Sequence, residues 1–250
     1  MLGTLKKLGH GLGRRYVDKL TADDYTTQRF RRHNERPIEF RFVFESLTFI
    51  RPHTVLDVGS GTTALPHMIA NCGCVVTAID NVRDYWPAGM FNRHWKVIDD
   101  DILKPKIKGQ FDLVCCISVI EHIVDHETAF RNMVSLVKPG GHLVLTTPYS
   151  EHNPVPNVYA LDGAAYGGDL PYICRSSARA DLDAWLKSTD VQIVAQEYWR
   201  LWLGAVWTQG RFLDVPERVD VTQPHQLSCI LFGRNGGQSG GMNCVPRRLT

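Results

Sequence analysis

The sequence lacks the features that mark a membrane protein, a secreted protein or a strongly charged nucleic-acid binder. No run reaches the ~18 apolar residues that a membrane-spanning helix needs. The N-terminus has no apolar core of signal-peptide length. The formal net charge is only +2, so no strong overall field favours nucleic acid or membrane. We therefore expect a soluble, cytoplasmic protein with neither a membrane nor a DNA partner.

The cysteines do not suggest a disulfide framework or a zinc site. There are seven, an odd number. Cys72 and Cys74 flank a single residue, whereas a zinc knuckle usually has two residues between its cysteines. Cys115 and Cys116 are adjacent inside an apolar run. We interpret the cysteines as reduced, mostly buried thiols.

Basic residues are concentrated near the start of the chain, and their role stays open. They are Lys6, Lys7, Arg14, Arg15, Lys19, Arg29, Arg31, Arg32 and Arg36. One interpretation is a solvated helix face. The other is a surface for an anionic partner, such as RNA.

Short apolar runs alternate with helical patterns from residue 54 onward, which favours a parallel sheet covered on both faces. The predicted strands are 55–58, 75–79, 95–98, 111–117, 142–146, 191–199 and 227–232. A helix is predicted over 125–137, followed by a turn at 138–141. Ser176 or Ser177 is predicted to cap a later helix.

The stretch VLDVGSGTTALP, residues 55–66, has the pattern of a strand that turns sharply beside a ligand. Gly59 lets the chain bend, and Gly61 keeps side chains away from a ligand near the backbone. Asp80 ends the second strand, where an acid can accept both hydroxyls of a ribose. The ligand is therefore expected to carry a nucleoside.

A nicotinamide cofactor fits this pattern less well. It would favour a third glycine, whereas this sequence has Ala64. Asp57 precedes the first glycine by two residues, and its charge would repel a diphosphate but attract a sulfonium or amino group.

Several motifs together resemble the class I S-adenosylmethionine-dependent methyltransferases. They are VLDVGSG, the strand-end acid Asp80, the acid in DDDI, FDLVCCISVIEHI and LVKPGGHLVLTTP. The likeness is close over residues 52–148 and extends to the helix and strand in 176–199. It implies a Rossmann-like α/β fold with a mostly parallel seven-stranded sheet, helices on both faces and an antiparallel last strand.

The resemblance also implies S-adenosylmethionine as cofactor, S-adenosylhomocysteine as product, and a set of binding residues. The glycine turn would face the methionine part, Asp80 the ribose, and Asp101 with Ile102 the adenine. Ile117 and Ser118 would lie under the methionyl group. The full predicted set is Asp57, Gly59, Ser60, Gly61, Asp80, Asn81, Asp100, Asp101, Ile102, Ile117 and Ser118.

The candidate catalytic residues follow the fourth and fifth strands. Histidine side chains ordinarily titrate near neutrality, so His122 could act as a base, or it could form part of the wall of the cofactor pocket. Glu151 and His152 begin an irregular loop and are either acceptor-site residues or an exposed polar pair. Some quinone-pathway relatives have a metal-site glutamate three residues before the Glu-His pair. This sequence has Ser118 there, so no metal is predicted.

We predict three segments: an N-terminal helical cap (1–45), a methyltransferase domain (46–234) with a substrate or lid loop (148–175), and a flexible tail (235–250). The first hypothesis is methyl transfer to oxygen or nitrogen of a small molecule or sugar. The alternatives are an RNA or protein methyltransferase that uses the basic segment, and a cofactor-binding module without catalysis. The sequence leaves the oligomeric state open.

Overall fold

The chain forms two units, residues 1–36 and 37–250. A computed structural model describes residues 2–27, 33–86, 88–168 and 170–236. Helix α1 (Leu2–Thr27) belongs to the first unit. Helix α2 (Arg36–Ile50) begins at the boundary, beside Pro37, whose fixed φ suits a first helical turn. From residue 237 onward the predicted tail lies outside the described residues.

The second unit alternates strands with short helices. The strands are β1 (Thr54–Val58), β2 (Val75–Asp80), β3 (Val97–Asp99), β4 (Phe111–Ile117), β5 (Val137–Pro148), β6 (Val191–Trp202), β7 (Phe212–Val219) and β8 (Leu227–Arg234). The helices are α3 (Leu65–Asn71), α4 (Val82–Tyr85), α5 (His126–Leu136) and α6 (Arg179–Lys187). Short 3-10 helices cover Ile120–His122 and Val158–Ala160.

The strands form one mixed sheet in the order β3-β2-β1-β4-β5-β8-β6-β7. Strands β1 to β5 pair in parallel. Strand β8 is antiparallel to both of its neighbours, β5 and β6, which confirms the predicted antiparallel last strand. The strand order reverses between β1 and β4, and ligands of open α/β sheets bind at the carboxyl ends of the strands beside such a reversal.

Within the part of the chain that the structure describes, the sheet has eight strands rather than the predicted seven. The additional strand, β7, pairs there with β6 alone and lies at the edge of the sheet. Its sequence, FLDVPERV, contains Pro216 and three charged residues. Proline and charge are typical of edge strands, because one side of such a strand needs no ladder hydrogen bonds. They also make the segment resemble a loop in sequence.

The predicted turn at 138–141 is wrong, because β5 runs through it. Gly140 has a φ of +79°, a conformation that glycine adopts without strain. The pairing with β4 shifts register between Phe111 and Leu113. The glycines therefore lie at an irregularity inside a strand. Glycine is common at such irregularities as well as in turns.

The predicted serine cap of α6 is also wrong. The residue before the helix is Ala178, and its N–H donates to Asp181 Oδ2 at 2.8 Å. Ser176 and Ser177 instead make bridges to Val155 and Tyr149 and help to order the loop after β5.

The core occupies both faces of the sheet. On one face, strand side chains pack with Phe130 and Met133 of α5 and Trp185 of α6. On the other, they pack with Phe42 of α2 and Ile69 of α3. Strand side chains alternate between the faces. Among the described residues, no helix is both long and apolar enough to cross a membrane.

Candidate functional site

The glycine turn follows β1, and both of its glycines have a left-handed backbone conformation. Gly59 has a φ of +73° and Gly61 a φ of +51°, which residues with a side chain rarely adopt. A Cβ atom added to Gly59 would lie 2.4 Å from Val119, in the loop that follows β4. The turn and the β4 loop are therefore in close contact at the reversal of the strand order.

Asp57 and Ser60 brace the turn from within. Asp57 is only 2% exposed, and its Oδ2 accepts the Ser60 hydroxyl at 2.6 Å. Asn92 also supports the turn, since its side-chain amide donates to the carbonyls of Gly61 and Thr63 at 2.9 and 3.0 Å. No motif in the sequence pointed to Asn92, which reaches the turn from a segment without regular structure.

Asp80 connects the end of β2 to the glycine turn. Its Oδ2 accepts the Gly61 N–H at 2.8 Å, and its Oδ1 accepts the Trp86 indole N–H at 3.0 Å. Burial raises the pKa of the Asp80 carboxyl, and these two hydrogen bonds act in the opposite direction. A carboxylate that accepts two neighbouring donors has the chemistry needed for the two hydroxyls of a ribose.

Trp86 contacts the candidate site, although no motif in the sequence pointed to it. It follows the one-turn helix α4, and its ring lies 3.3 Å from the position of a Gly61 Cβ atom. The only sequence signal is an aromatic residue soon after a strand-end acid. Asn81, predicted to bind cofactor, caps α4 by accepting the Asp84 N–H at 3.2 Å.

The acids after β3 have different surroundings. Asp100 is 4% exposed, and its carboxylate accepts the backbone N–H groups of Asp101, Lys106 and Ile107. Those contacts suit a residue that shapes the turn. Asp101 is half-buried and accepts the Leu103 N–H at 2.9 Å, while Ile102 is buried in the core.

The end of β4 carries Ile117 and Ser118. Ile117 is buried on the α2 face of the sheet. Ser118 has a φ of +52°, and its hydroxyl donates to the buried Glu39 of α2. No motif in the sequence pointed to Glu39, which lies 79 positions away.

His122 is held by the loop after β5. Its Nδ1 lies 2.7 Å from the Ile173 carbonyl oxygen. A carbonyl only accepts, so Nδ1 carries the proton and, in the neutral ring, Nε2 carries the lone pair. Tyr172 and Tyr159 flank the imidazole at centroid distances of 4.5 and 6.4 Å.

The ring contacts continue from this imidazole to the buried Trp202. Tyr159 contacts Tyr166, and Tyr166 contacts Trp202, at 5.8 and 6.1 Å. Burial raises the pKa of Tyr159 and of Tyr172, so both phenols stay neutral at physiological pH. These side chains thus combine aromatic faces with hydrogen-bonding groups.

Glu151 and His152 lie apart from these contacts. Glu151 accepts hydrogen bonds from Tyr149 Oη at 2.8 Å and from Arg179 Nε at 2.9 Å. Burial opposes ionisation, but the bonds from Arg179 and Tyr149 outweigh it and lower the pKa of Glu151. His152 is exposed. Glu151 thus belongs to a group with Tyr149 and Arg179, whereas His122 contacts the Ile173 carbonyl and Tyr172.

Comparison with known proteins gives a consistent family assignment. A family model described as a methyltransferase domain matches residues 25–199. The Ubiquinone biosynthesis O-methyltransferase of Coxiella burnetii is 28% identical over 141 residues, covering 54% of this chain and 58% of the relative. Its namesake from Pseudomonas paraeruginosa is 31% identical over 143 residues, covering 54% and 60%. The chain thus spans less than two thirds of these relatives.

Solved structures support the fold. The 1,6-didemethyltoxoflavin-N1-methyltransferase of Burkholderia thailandensis superposes with a TM-score of 0.56 at 15% identity, covering 89% of this chain and 90% of its own. The magnesium protoporphyrin IX methyltransferase of Synechocystis gives 0.51 at 15% identity, covering 90% and 99%. At this identity the likeness concerns the fold.

Proposed function

The chain belongs to the methyltransferase-domain family, and from this we propose that it transfers a methyl group from S-adenosylmethionine to oxygen or nitrogen of a small molecule. The observation that carries the proposal is the contact between Asp80 and Gly61. It joins a buried strand-end acid to a turn of two left-handed glycines, beside the reversal of the strand order. Relatives and structural neighbours that act on small molecules support the acceptor class.

In this proposal each part of the site holds a different part of the cofactor. Asp80 accepts the ribose hydroxyls, and the glycine turn with Ser118 borders the methionine part. Asp101 and Ile102 border the adenine. The bound cofactor supplies a methyl group on a cationic sulfur, so the protein's main tasks are to align the acceptor and to remove its proton where needed.

We infer that His122 receives the acceptor's proton at Nε2. The hydrogen bond from Nδ1 to Ile173 supports this role, because it fixes the tautomer and the ring orientation. The acceptor would then lie against the aromatic surface that His122 shares with Tyr159 and Tyr172. This surface suits a compact molecule with an apolar face and a hydroxyl or amino group.

Calorimetric titration with S-adenosylhomocysteine tests the cofactor assignment. Wild-type protein should bind it, and Asp80→Ala should weaken binding by at least about tenfold, because two ribose hydroxyls lose a charged acceptor. The exposed Asp183 on α6 offers a matched control, Asp183→Ala, which should bind like wild type. Equal affinity for Asp80→Ala and wild type would refute the ribose assignment.

A further inference from the structure

A buried carboxylate lies next to the proposed methionine end of the site. Glu39 of α2 is 0% exposed. Its Oε1 accepts the Thr146 hydroxyl of β5 at 2.7 Å and also accepts the Ser118 hydroxyl at the end of β4. One oxygen atom of α2 thus joins the carboxyl ends of the two central strands. A buried carboxylate is costly unless it is well hydrogen-bonded, so these contacts define its position.

Ser118 is held in an unfavourable backbone conformation by the same group of residues. Its φ of +52° lies in the left-handed region, where a side chain is disfavoured. Its N–H lies 3.0 Å from Thr146 Oγ1 and 3.2 Å from the Thr146 carbonyl. Ser118, Thr146 and Glu39 therefore form a closed ring of hydrogen bonds. Such a ring can maintain a conformation that the residue would not adopt alone.

We propose that Glu39 is a positioning residue, which binds the Ser118 hydroxyl and so fixes the backbone that borders the methionine part of the cofactor. The inference rests on the proposed function, because it assigns a role within that same site. It gives α2 a task beyond core packing: its first turn determines the conformation of the β4 end. Because Glu39 acts through Ser118, its effect belongs to cofactor affinity and not to proton transfer.

The proposal makes a specific prediction for substitutions at position 118. Ser118→Ala removes the hydroxyl but keeps a Cβ atom, so the left-handed conformation loses its support. Ser118→Gly also removes the hydroxyl, but glycine adopts this conformation without strain. We expect Ser118→Ala to weaken S-adenosylhomocysteine binding by about tenfold, because that factor corresponds to the free-energy cost of a left-handed residue with a side chain. Ser118→Gly should stay within about twofold of the wild-type affinity.

Substitutions at Glu39 test the positioning role directly. Glu39→Ala should weaken binding by about tenfold, and adding Ser118→Gly to it should restore most of the affinity. Glu39→Gln keeps an oxygen that can accept both hydroxyls, so it should bind nearly like wild type. Glu45→Gln is the control on the same helix, since Glu45 pairs with Arg41. In turnover assays, Glu39→Ala should raise the KM for S-adenosylmethionine, while its kcat at saturating cofactor should equal that of wild type.

The outcomes separate the possible failures. If wild-type protein binds no S-adenosylhomocysteine, the proposed function fails first. If wild type binds and Ser118→Ala equals Ser118→Gly, or Ser118→Gly does not restore Glu39→Ala, the positioning role is refuted. Thermal melting of each variant identifies those that do not fold. If Glu39→Ala is among them, the comparison of Ser118→Ala with Ser118→Gly decides the question alone.

Discussion

In the proposed site, one Asp80 oxygen that would accept a ribose hydroxyl already accepts a hydrogen bond from a side chain. The Trp86 indole donates to Asp80 Oδ1, and its ring covers Gly61. A ribose hydroxyl that donates to the same oxygen would replace the indole N–H. Cofactor binding is thus expected to change the environment of one particular tryptophan among six.

This exchange predicts a fluorescence signal. Titrating S-adenosylhomocysteine into wild-type protein should change tryptophan emission along the calorimetric binding curve, because the indole loses its bond to a buried carboxylate. Trp86→Phe should still bind but lose most of the signal. Trp185→Phe is the control, since Trp185 is stacked on Phe130 in the core and reports little on the site. An unchanged signal in Trp86→Phe would contradict the exchange.

A second prediction for a single residue concerns the imidazole of His122. His122→Gln removes the lone pair at Nε2, so the rate of methyl transfer at saturating cofactor should fall by about 10²-fold or more. S-adenosylhomocysteine affinity should stay near the wild-type value. His53→Gln, at the exposed opposite end of β1, should leave both quantities unchanged. Equal transfer rates for His122→Gln and wild type would show that another group accepts the proton.

The sequence predicted the positions of the strand-end residues well, because they follow short, distinctive apolar runs. It could not predict contacts made by distant or irregular segments. Trp86 and Asn92 reach the glycine turn from residues without a strong pattern, and Glu39 reaches Ser118 from another helix. Such contacts depend on the tertiary fold, and spacing along the chain does not encode them.

At the end of the sheet opposite the candidate site, the carboxylate of Asp112 joins the central strands β1, β4 and β5. Asp112 of β4 accepts the N–H groups of His53 and Thr54 at 3.1 and 2.8 Å, as well as the Thr54 hydroxyl. It also pairs with Lys138 of β5 at 2.7 Å. Burial opposes ionisation, but the bonds from Lys138 and Thr54 outweigh it and lower the pKa of Asp112 to about 2.

A lowered pKa in the folded state predicts how stability depends on pH. Asp112 stabilises the fold fully above its unfolded pKa of about 3.9, and this contribution is lost as pH falls toward the folded value. Asp112→Asn should therefore lower the urea midpoint at pH 7, and the difference from wild type should shrink below about pH 4. Glu127→Gln, which removes an exposed pair with Arg131, is the control and should show no such trend. A constant difference down to pH 3 would contradict the assignment.

The prediction errors at the scale of elements share a cause. Gly140 indicated a turn but lies in β5, and the edge strand β7, which contains Pro216, was not among the predicted strands. Both residue types also occur at strand irregularities and at sheet edges, where they interrupt few hydrogen bonds. Local sequence does not distinguish these settings, since the difference depends on which strands lie alongside.

In the whole molecule, the strand order and the parallel pairing of the strands place the segments of the candidate site next to one another. The turn after β1, the acid after β2 and the loop after β4 all lie at the carboxyl edge of adjacent strands. The alternation of strands and helices in the sequence predicts that a ligand site lies at this edge. The fold does not determine the acceptor molecule, because one fold can serve many different functions.

Methyl transfer to small molecules can be measured directly with labelled cofactor. The purified protein is incubated with a cell extract and with methyl-labelled S-adenosylmethionine at a concentration below the wild-type Kd, and the products are separated by size. Asp80→Ala serves as the weak-binding control. Label is expected in the small-molecule fraction with wild type, and little label is expected there with Asp80→Ala. Label confined to RNA or protein, or no transfer above the Asp80→Ala level, would contradict the proposed function.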